Sequence, residues 1–518
     1  MDNIYKRAKH GEHKHVYFER AKLSSVSHRI KKSATRSIAG SEPEYNSSNV
    51  SRFTAWKYYD QYRRLLIFRK VYPFIVTTDI TNFFDSVLYD RVVESLLENT
   101  VPRRLVGLLF YLLERLSLRH PYTESPRIGL PVDEFDCSRK LAHLILFPHD
   151  DRMVQEVGEE GYVRWMDDQN IGVSSRAHGL KVLSRVGNSL SRLHLTPNAE
   201  KSRILSLKQA ALHFHLRINK LLDDAESLPT KTSMQRRLLG REIRRIWKIA
   251  RKYENTGEWS KLLKRIYRLA GVAGVRQLRT RAVKDVLQHP DLVRRVSDYM
   301  RTTGSVRQYL QFIWRIWHHP EQPYPDVNVS LAESLLRLEP KGKEGTLIRS
   351  IGSDLLRNKI CIAGQYEVEA IAPLIILRYG DTRSLPLVRT CFEKKFDRVP
   401  PAVVRSAAIV YCSYGIREFR LVRRTASRLL RNHMAEMVRL IERVMAYKEV
   451  PERYKARINT RFDPVEGREF LDMRSLLAAR LLNLNRQKQV QNWLLARKKY
   501  LLTKPIRPFE KRLLNRLL

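Results

Sequence analysis

Phe74-Ile75-Val76-Thr77-Thr78-Asp79-Ile80-Thr81-Asn82-Phe83-Phe84-Asp85-Ser86 is the stretch that decides the fold, read together with Tyr162-Val163-Arg164-Trp165-Met166-Asp167-Asp168-Gln169-Asn170-Ile171-Gly172-Val173. The first is an apolar, β-branched run ending on a carboxylate, which predicts a buried strand with Asp79 at its tip. The second predicts a hairpin. Residues 162–165 and 170–173 are strand-like, and Asp167-Asp168 occupy the turn, where Asp tolerates tight backbone geometry. If the strand tip lies beside that hairpin, three carboxylates converge. Like charges that close repel unless cations sit between them, and hard divalent cations with oxygen ligands are the usual answer. Two metals about 3.5–4 Å apart, bridged by carboxylates, activate a hydroxyl and hold a leaving phosphate group. A double Asp in a hairpin is by itself only a turn, so the surrounding segments must carry the argument.

Composition narrows the partners. The 518 residues include 96 Lys and Arg against 54 acidic residues, a formal net charge of +42. Such an excess is easiest to sustain beside a polyanion, and nucleic acid comes first because each neutralised phosphate releases counterions. A membrane surface is the other anionic partner. Cys137, Cys361, Cys391 and Cys412 show no Cys-x-x-Cys spacing and read as reduced, packed thiols rather than a disulfide framework or a zinc ribbon. No apolar run is long enough to span a bilayer and the first residues are not a signal peptide, so an intracellular protein is expected.

Along the chain, residues 1–60 form a basic N-terminal segment whose His10, His13 and His15 lack Cys partners and read as a solvated arm. Asp90 to Leu118 is expected to be helical, with Val92, Val93, Leu96, Leu97, Leu105, Leu108, Leu109, Leu112 and Leu113 at helical spacing. Gly179 to Leu193 is expected to be an amphipathic helix burying Leu180, Leu183, Val186, Leu190 and Leu193. Ala211 to Asn219 is strand-like. From about residue 225 the patterns turn helical throughout. In Gln235 to Tyr253 an apolar stripe of Leu239, Ile243, Ile246 and Ala250 accompanies a basic stripe of Arg237, Arg241, Arg244, Lys248 and Arg251. That basic stripe is either a solvated face or a surface for phosphates; the shortage of nearby acids favours nucleic acid. Breaker-rich joints at residues 320–328 and 339–345 introduce short helix pairs, 367–378 with 384–394 and then 402–411, whose lengths suggest an irregular HEAT-like stack.

Asp79-Ile-Thr-Asn-Phe83-Phe84-Asp-Ser resembles the first palm motif of reverse transcriptases of the group II intron and retron kind, and Arg164-Trp-Met-Asp167-Asp168 resembles their aromatic-x-Asp-Asp motif. Gly129-Leu130-Pro131, Ser138 and the following Leu-Ala resemble the second palm motif, and Leu195-Thr-Pro-Asn-Ala-Glu-Lys201-Ser202 the fourth. The resemblance implies an α+β palm with fingers, two Mg²⁺ ions replaceable by Mn²⁺, and Asp79, Asp167 and Asp168 as ligands, with Ile80 also at the metal and nucleotide site. It places Phe84 under the sugar of the incoming nucleotide, where a ring collides with a 2′-hydroxyl and selects deoxynucleotides. Gly129, Pro131 and Ser138 would line the nucleotide. Lys201 would serve the leaving pyrophosphate; its plain alternative is a surface Lys after a turn. One departure matters. Where templated enzymes of the family carry Gln-Gly, this chain has the longer, acidic Val132-Asp-Glu-Phe-Asp136, which removes the close backbone approach a Gly permits and repels a template's phosphates.

The expected division is a basic fingers segment at 1–60, a palm at 61–225, a thumb-like basic helical region at 226–330 and a helical-repeat domain at 331–518. A palm followed by a large helical half most resembles the abortive-infection, defence-associated branch of bacterial reverse transcriptases. That branch implies DNA synthesis from dNTPs without a conventional template, priming from a Tyr of the protein, single-stranded DNA product or RNA as partner, self-association, no membrane, and antiphage defence in the bacterial cytoplasm. With 23 Tyr in the chain, no priming residue is selected. A templated reverse transcriptase of the retron or intron-maturase kind and a non-catalytic RNA-binding scaffold are the alternatives.

Overall fold

The computed structural model describes residues 63–517 except 65, 69, 99–100, 117–126, 131–135, 323, 358–364, 381, 394–400, 429–431 and 464–467. The expected N-terminal segment, Pro131 and most of the acidic stretch after it lie outside the described residues. The protein is mostly helical with a small antiparallel sheet, and it divides into two compact units, residues 1–216 and 217–518.

In the first unit four strands, β1 (Phe74–Thr78), β2 (Tyr162–Trp165), β3 (Asp168–Val173) and β4 (Arg203–Ser206), form an antiparallel sheet in the order β2-β3-β1-β4. Both faces are covered, which is why β1 reads as a continuous apolar run rather than an alternating one. Val76 faces a core built with Ile171, Val173, Val182, Val186 and Leu190, while its neighbour Ile75 faces a second core with Val163, Ala210 and Phe214. Register is fixed at one close approach: a Cβ on Gly172 would lie 2.4 Å from the Tyr72 ring, so only Gly lets that ring pack on β3.

The helices of this unit are α1 (Tyr89–Glu98), α2 (Arg103–Leu116), α3 (Asp136–Leu144), α4 (Phe147–Val157), α5 (Arg176–Ser191) and α6 (Leu207–His213); α7 (Leu216–Glu226) follows and from Arg217 on belongs to the second unit. Three expectations are corrected here. The helical stretch expected over 90–118 is present as two helices, since Pro102 cannot continue a helix and instead opens the next one by accepting from the Leu105 N–H. Within α2, Leu105, Leu108 and Leu112 are exposed and only Val106 and Leu113 are buried, so the leucine count overstated the core. In α5 the buried face is Gly179, Val182, Val186, Ser189 and Leu190, with Leu180 outside. The strand expected at 211–219 is helical: Ser206 and Gln209 form a capping box, and that pattern of Ser followed three residues on by Gln marks a helix start.

The second unit is a succession of helices around one continuous core. Those used below are α8 (Ser233–Ala250), α9 (Trp259–Ala273), α10 (Ala282–Gln288), α11 (Val293–Thr303), α12 (Val306–Trp317), α13 (Pro325–Leu335), α14 (Glu344–Leu356), α15 (Gln365–Tyr379), α16 (Leu385–Glu393) and α17 (Pro401–Cys412). The apolar stripe expected on α8 is buried as read, with Gly240 added. The second unit is not helical throughout, however: β5 (Thr460–Asp463) and β6 (Arg468–Leu471) form a hairpin. Fully buried Arg378 of α15 bonds Glu510 and the Leu471 carbonyl, and Arg507 bonds Glu510 and the Arg337 carbonyl, so the C-terminal residues are fastened into this core.

Candidate active site

Sheet register brings the carboxylates together. In the antiparallel pair β1–β3, Thr78 lies opposite Gln169, so Asp79 and Asp168 follow and precede paired residues at the same end of the sheet. Trp165 pairs with Asp168, which leaves Met166-Asp167 as the two-residue turn. The expected turn, Asp167-Asp168, is thus shifted by one residue, with Asp168 opening β3. Met166 takes the left-handed conformation at φ 52°, the strained position of the hairpin.

The segment after α5 is stitched to the strand tip. Asn198 N–H donates to the Asp79 carbonyl at 2.7 Å, Thr81 N–H to the Thr196 carbonyl at 2.9 Å, and Ile80 bridges Pro197. Asn198 Oδ1 then accepts from the Lys201 N–H at 3.2 Å, and the Ser202 hydroxyl bonds the Asn198 carbonyl and Thr78, each at 2.7 Å. This Asx-type turn aims Lys201 back at the tip, where its ammonium bonds Asp79. That bond is the main reason the Lys201 pKa is raised.

Asp79 is buried, and its Oδ1 has no hydrogen-bond donor among the described residues. Burial, then the charges of Asp79 and Asp168 and a hydrogen bond with Asp79, push Asp167 up to about 7. Two carboxylates here are close enough to share a proton, and a third adds its field. A buried acceptor without a donor, beside carboxylates that resist ionising together, is the donor chemistry a hard divalent cation satisfies. Among the described residues no three His, Cys, Asp or Glu side chains are gathered as a ready-made metal site; the charge of Asp168 acts on Asp167. Ile80 has a buried side chain, which leaves only its backbone to face an ion.

Phe83 and Phe84 lie in a turn and a short 3-10 helix rather than on a strand. Phe83 is buried in the core, and Phe84 is half-buried with its ring 5.2 Å from that of Phe83. Leu130 N–H donates to the Phe84 carbonyl and Gly129 N–H to the Val87 carbonyl, both at 2.9 Å, which sets Gly129, at φ 92°, against the Phe84 turn. Ser138 is buried in α3. The stripe residues Arg237, Arg241, Arg244, Lys248 and Arg251 belong to the second unit. All five are exposed, and the first four have no carboxylate partner among the described residues.

Sequence reading missed what holds the hairpin. Beneath it, Arg164 and Asp150 are both fully buried and pair in a fork, Arg164 Nε reaching Asp150 Oδ1 at 2.6 Å. Arg164 also donates to the Met166 carbonyl at 2.8 Å, clamping the strained turn, and to His143 at 3.2 Å. Tyr162 donates to Asp150 at 2.8 Å, and His149 bridges Ser189 at 3.0 Å and Gln169 at 2.9 Å. Burial alone would raise Asp150, but the charge and hydrogen bonds of Arg164 hold it at about 2; burial lowers His149 to about 4. The signal was available: an Arg inside an apolar strand demands a buried acid, and Asp150 stands in the helix just before it.

No family model and no curated protein matches the chain.

Proposed function

We propose that the protein is a Mg²⁺-dependent, reverse-transcriptase-type DNA polymerase that builds DNA from dNTPs without a conventional template. On this reading the first unit is a palm and the second a HEAT-like helical stack. The observation that carries the proposal is the meeting of Asp79, Asp167 and Lys201, from three distant motifs, at one end of a four-stranded antiparallel sheet. In the second unit α9 packs on α11, α11 on α13, α13 and α14 on α15, and α15 and α16 on α17, the near-neighbour pattern of a stack. Antiphage defence, priming from a Tyr of the chain and self-association belong to the same proposal and rest on the resemblance.

When bound, a pair of Mg²⁺ ions would polarise the attacking hydroxyl and stabilise the leaving pyrophosphate. Asp79 and Asp167 would hold them, Asp168 adding negative charge. Lys201, already held at this site as an ammonium, is the proton source for the leaving group. Phe84, backed by Phe83 and pinned by the Leu130 N–H, is the ring that excludes a ribose 2′-hydroxyl. Arg164 keeps the Met166-Asp167 turn in place, so that Asp167 is set before substrate arrives. No helix among the described residues is long and apolar enough to cross a membrane.

The test incubates the purified full chain with each dNTP and Mg²⁺, with and without primer and template. Polymer formed without template, and lost in Asp79→Asn, is the expected result. No product under any of these conditions overturns the polymerase. Product only with a template keeps the enzyme and replaces the untemplated reading with a templated one.

A further inference from the structure

The second unit contains a cavity of about 710 Å³ that, apart from Arg237 of the α8 stripe, is lined by residues the proposed polymerase does not use. It forms where helix ends meet. The first turns of α8, α12 and α14 reach it at Ser233, Val306 and Glu344, and the C-terminal ends of α9 and α11 reach it at Gly274 and Gly304. Helix N-termini present unpaired N–H groups and the positive end of the helix dipole. The floor is bare. Gly274 has a left-handed backbone, and a Cβ on Gly304 would lie 2.7 Å from the Met300 carbonyl.

The walls are cationic. Arg236, Arg237, Lys341 and Arg468 line the cavity without a carboxylate partner among the described residues. The fifth cation, Arg301, is already matched by Asp463 at 2.7 Å. Both acids of the lining are engaged by backbone N–H groups, Glu344 by that of Lys341 at 2.8 Å and Glu339 by that of Phe509 at 3.3 Å. Five cations against two carboxylates leave the lining with an excess of positive charge that an anion would offset. Guanidinium forks match phosphate oxygens in pairs, and helix N-termini add N–H donors to the same group. The volume falls in the range of sites for single small ligands, roughly 300–1,000 Å³. Among the described residues no aromatic ring lines it, so they offer no stacking platform of the kind by which proteins grip single-stranded nucleic acid.

We propose that this cavity binds a small ligand carrying two or more linked phosphates, supplied as free pyrophosphate or as the tail of a nucleoside triphosphate. The site is independent of the carboxylate cluster and stands whether or not the polymerase reading holds. Calorimetric titration of the full chain in excess EDTA, with pyrophosphate and dATP as probes, tests it. Saturable one-to-one binding is expected, weakened at least about tenfold in Arg236→Ala/Arg237→Ala and again in Lys341→Ala/Arg468→Ala, and kept in Asp79→Asn. Equal affinity for the two probes supports the linked phosphates as the whole determinant, and tighter dATP supports a nucleotide as the source. Absence of binding, or binding that both double variants leave intact, overturns the proposal. So does competition by oligonucleotides whose affinity grows with strand length.

Discussion

Beneath the hairpin, Asp150 and Arg164 are wholly buried and each is matched by partners in fixed geometry; along α8, Arg237, Arg241, Arg244 and Lys248 stand exposed with no acid opposite them among the described residues. Both regions are rich in charge, but the physics differs. A buried pair stays only because each ion repays the other's lost hydration, so it fixes geometry and costs heavily when one member goes. An exposed, unpaired row contributes nothing to the fold and keeps its cations available to a polyanion. The contrast separates residues that hold the hairpin in place from residues whose charge the fold does not use.

The most severe way to break the comparison is to touch the carboxylates themselves. Asp167→Asn should lower dNTP incorporation by about 10³–10⁴-fold, equivalent to roughly 4–5 kcal/mol of barrier, while denaturant unfolding stays close to that of the parent. Next, Arg164→Met should cost about 3–4 kcal/mol of stability by leaving Asp150 buried and alone. Adding Asp150→Leu should recover much of it in denaturant titrations without restoring activity, because the Met166 carbonyl still lacks its clamp.

His149 gives a pH signature. Its folded pKa of about 4 lies below the ordinary value of 6.5, so the unfolded chain binds the extra proton between those values. Stability is complete above about pH 6.5 and falls as acid is added, by about 2 kcal/mol at pH 5. His149→Gln should flatten that part of the curve in unfolding measured against pH. Asp150, held near 2, acts only below about pH 4, in a separate window. The gentlest test lies on α8: replacing Arg237, Arg241, Arg244 and Lys248 by Ala should leave the melting temperature nearly unchanged. It should reduce the salt dependence of oligonucleotide binding by a slope of about 1 per cation removed.

What could be read in the sequence follows from how local the signal was. The strand ending at Asp79, the Asp hairpin and the buried stripe of α8 were legible because pattern and period coincide over a few residues. The α2 leucines misled because spacing alone cannot say which side of a helix has a neighbour. The helix at 207–213 was hidden by β-like composition, although its capping box was present in the letters. Within the candidate site, the acids and Lys201 were named from their motifs, yet the one-residue shift of the turn was not. It depends on cross-strand register, which is a property of two segments together. The Arg164–Asp150 fork escaped although an Arg inside an apolar strand asks for a buried acid, because it joins a strand to a helix rather than lying within one motif.

The contact between Gly172 and Tyr72 has an evolutionary corollary. Because any side chain at 172 would drive into that ring, a lineage cannot gain bulk there unless position 72 has first become smaller. Drift at either site is conditional on its companion, and among divergent descendants the two columns should co-vary, large opposite glycine or modest opposite alanine.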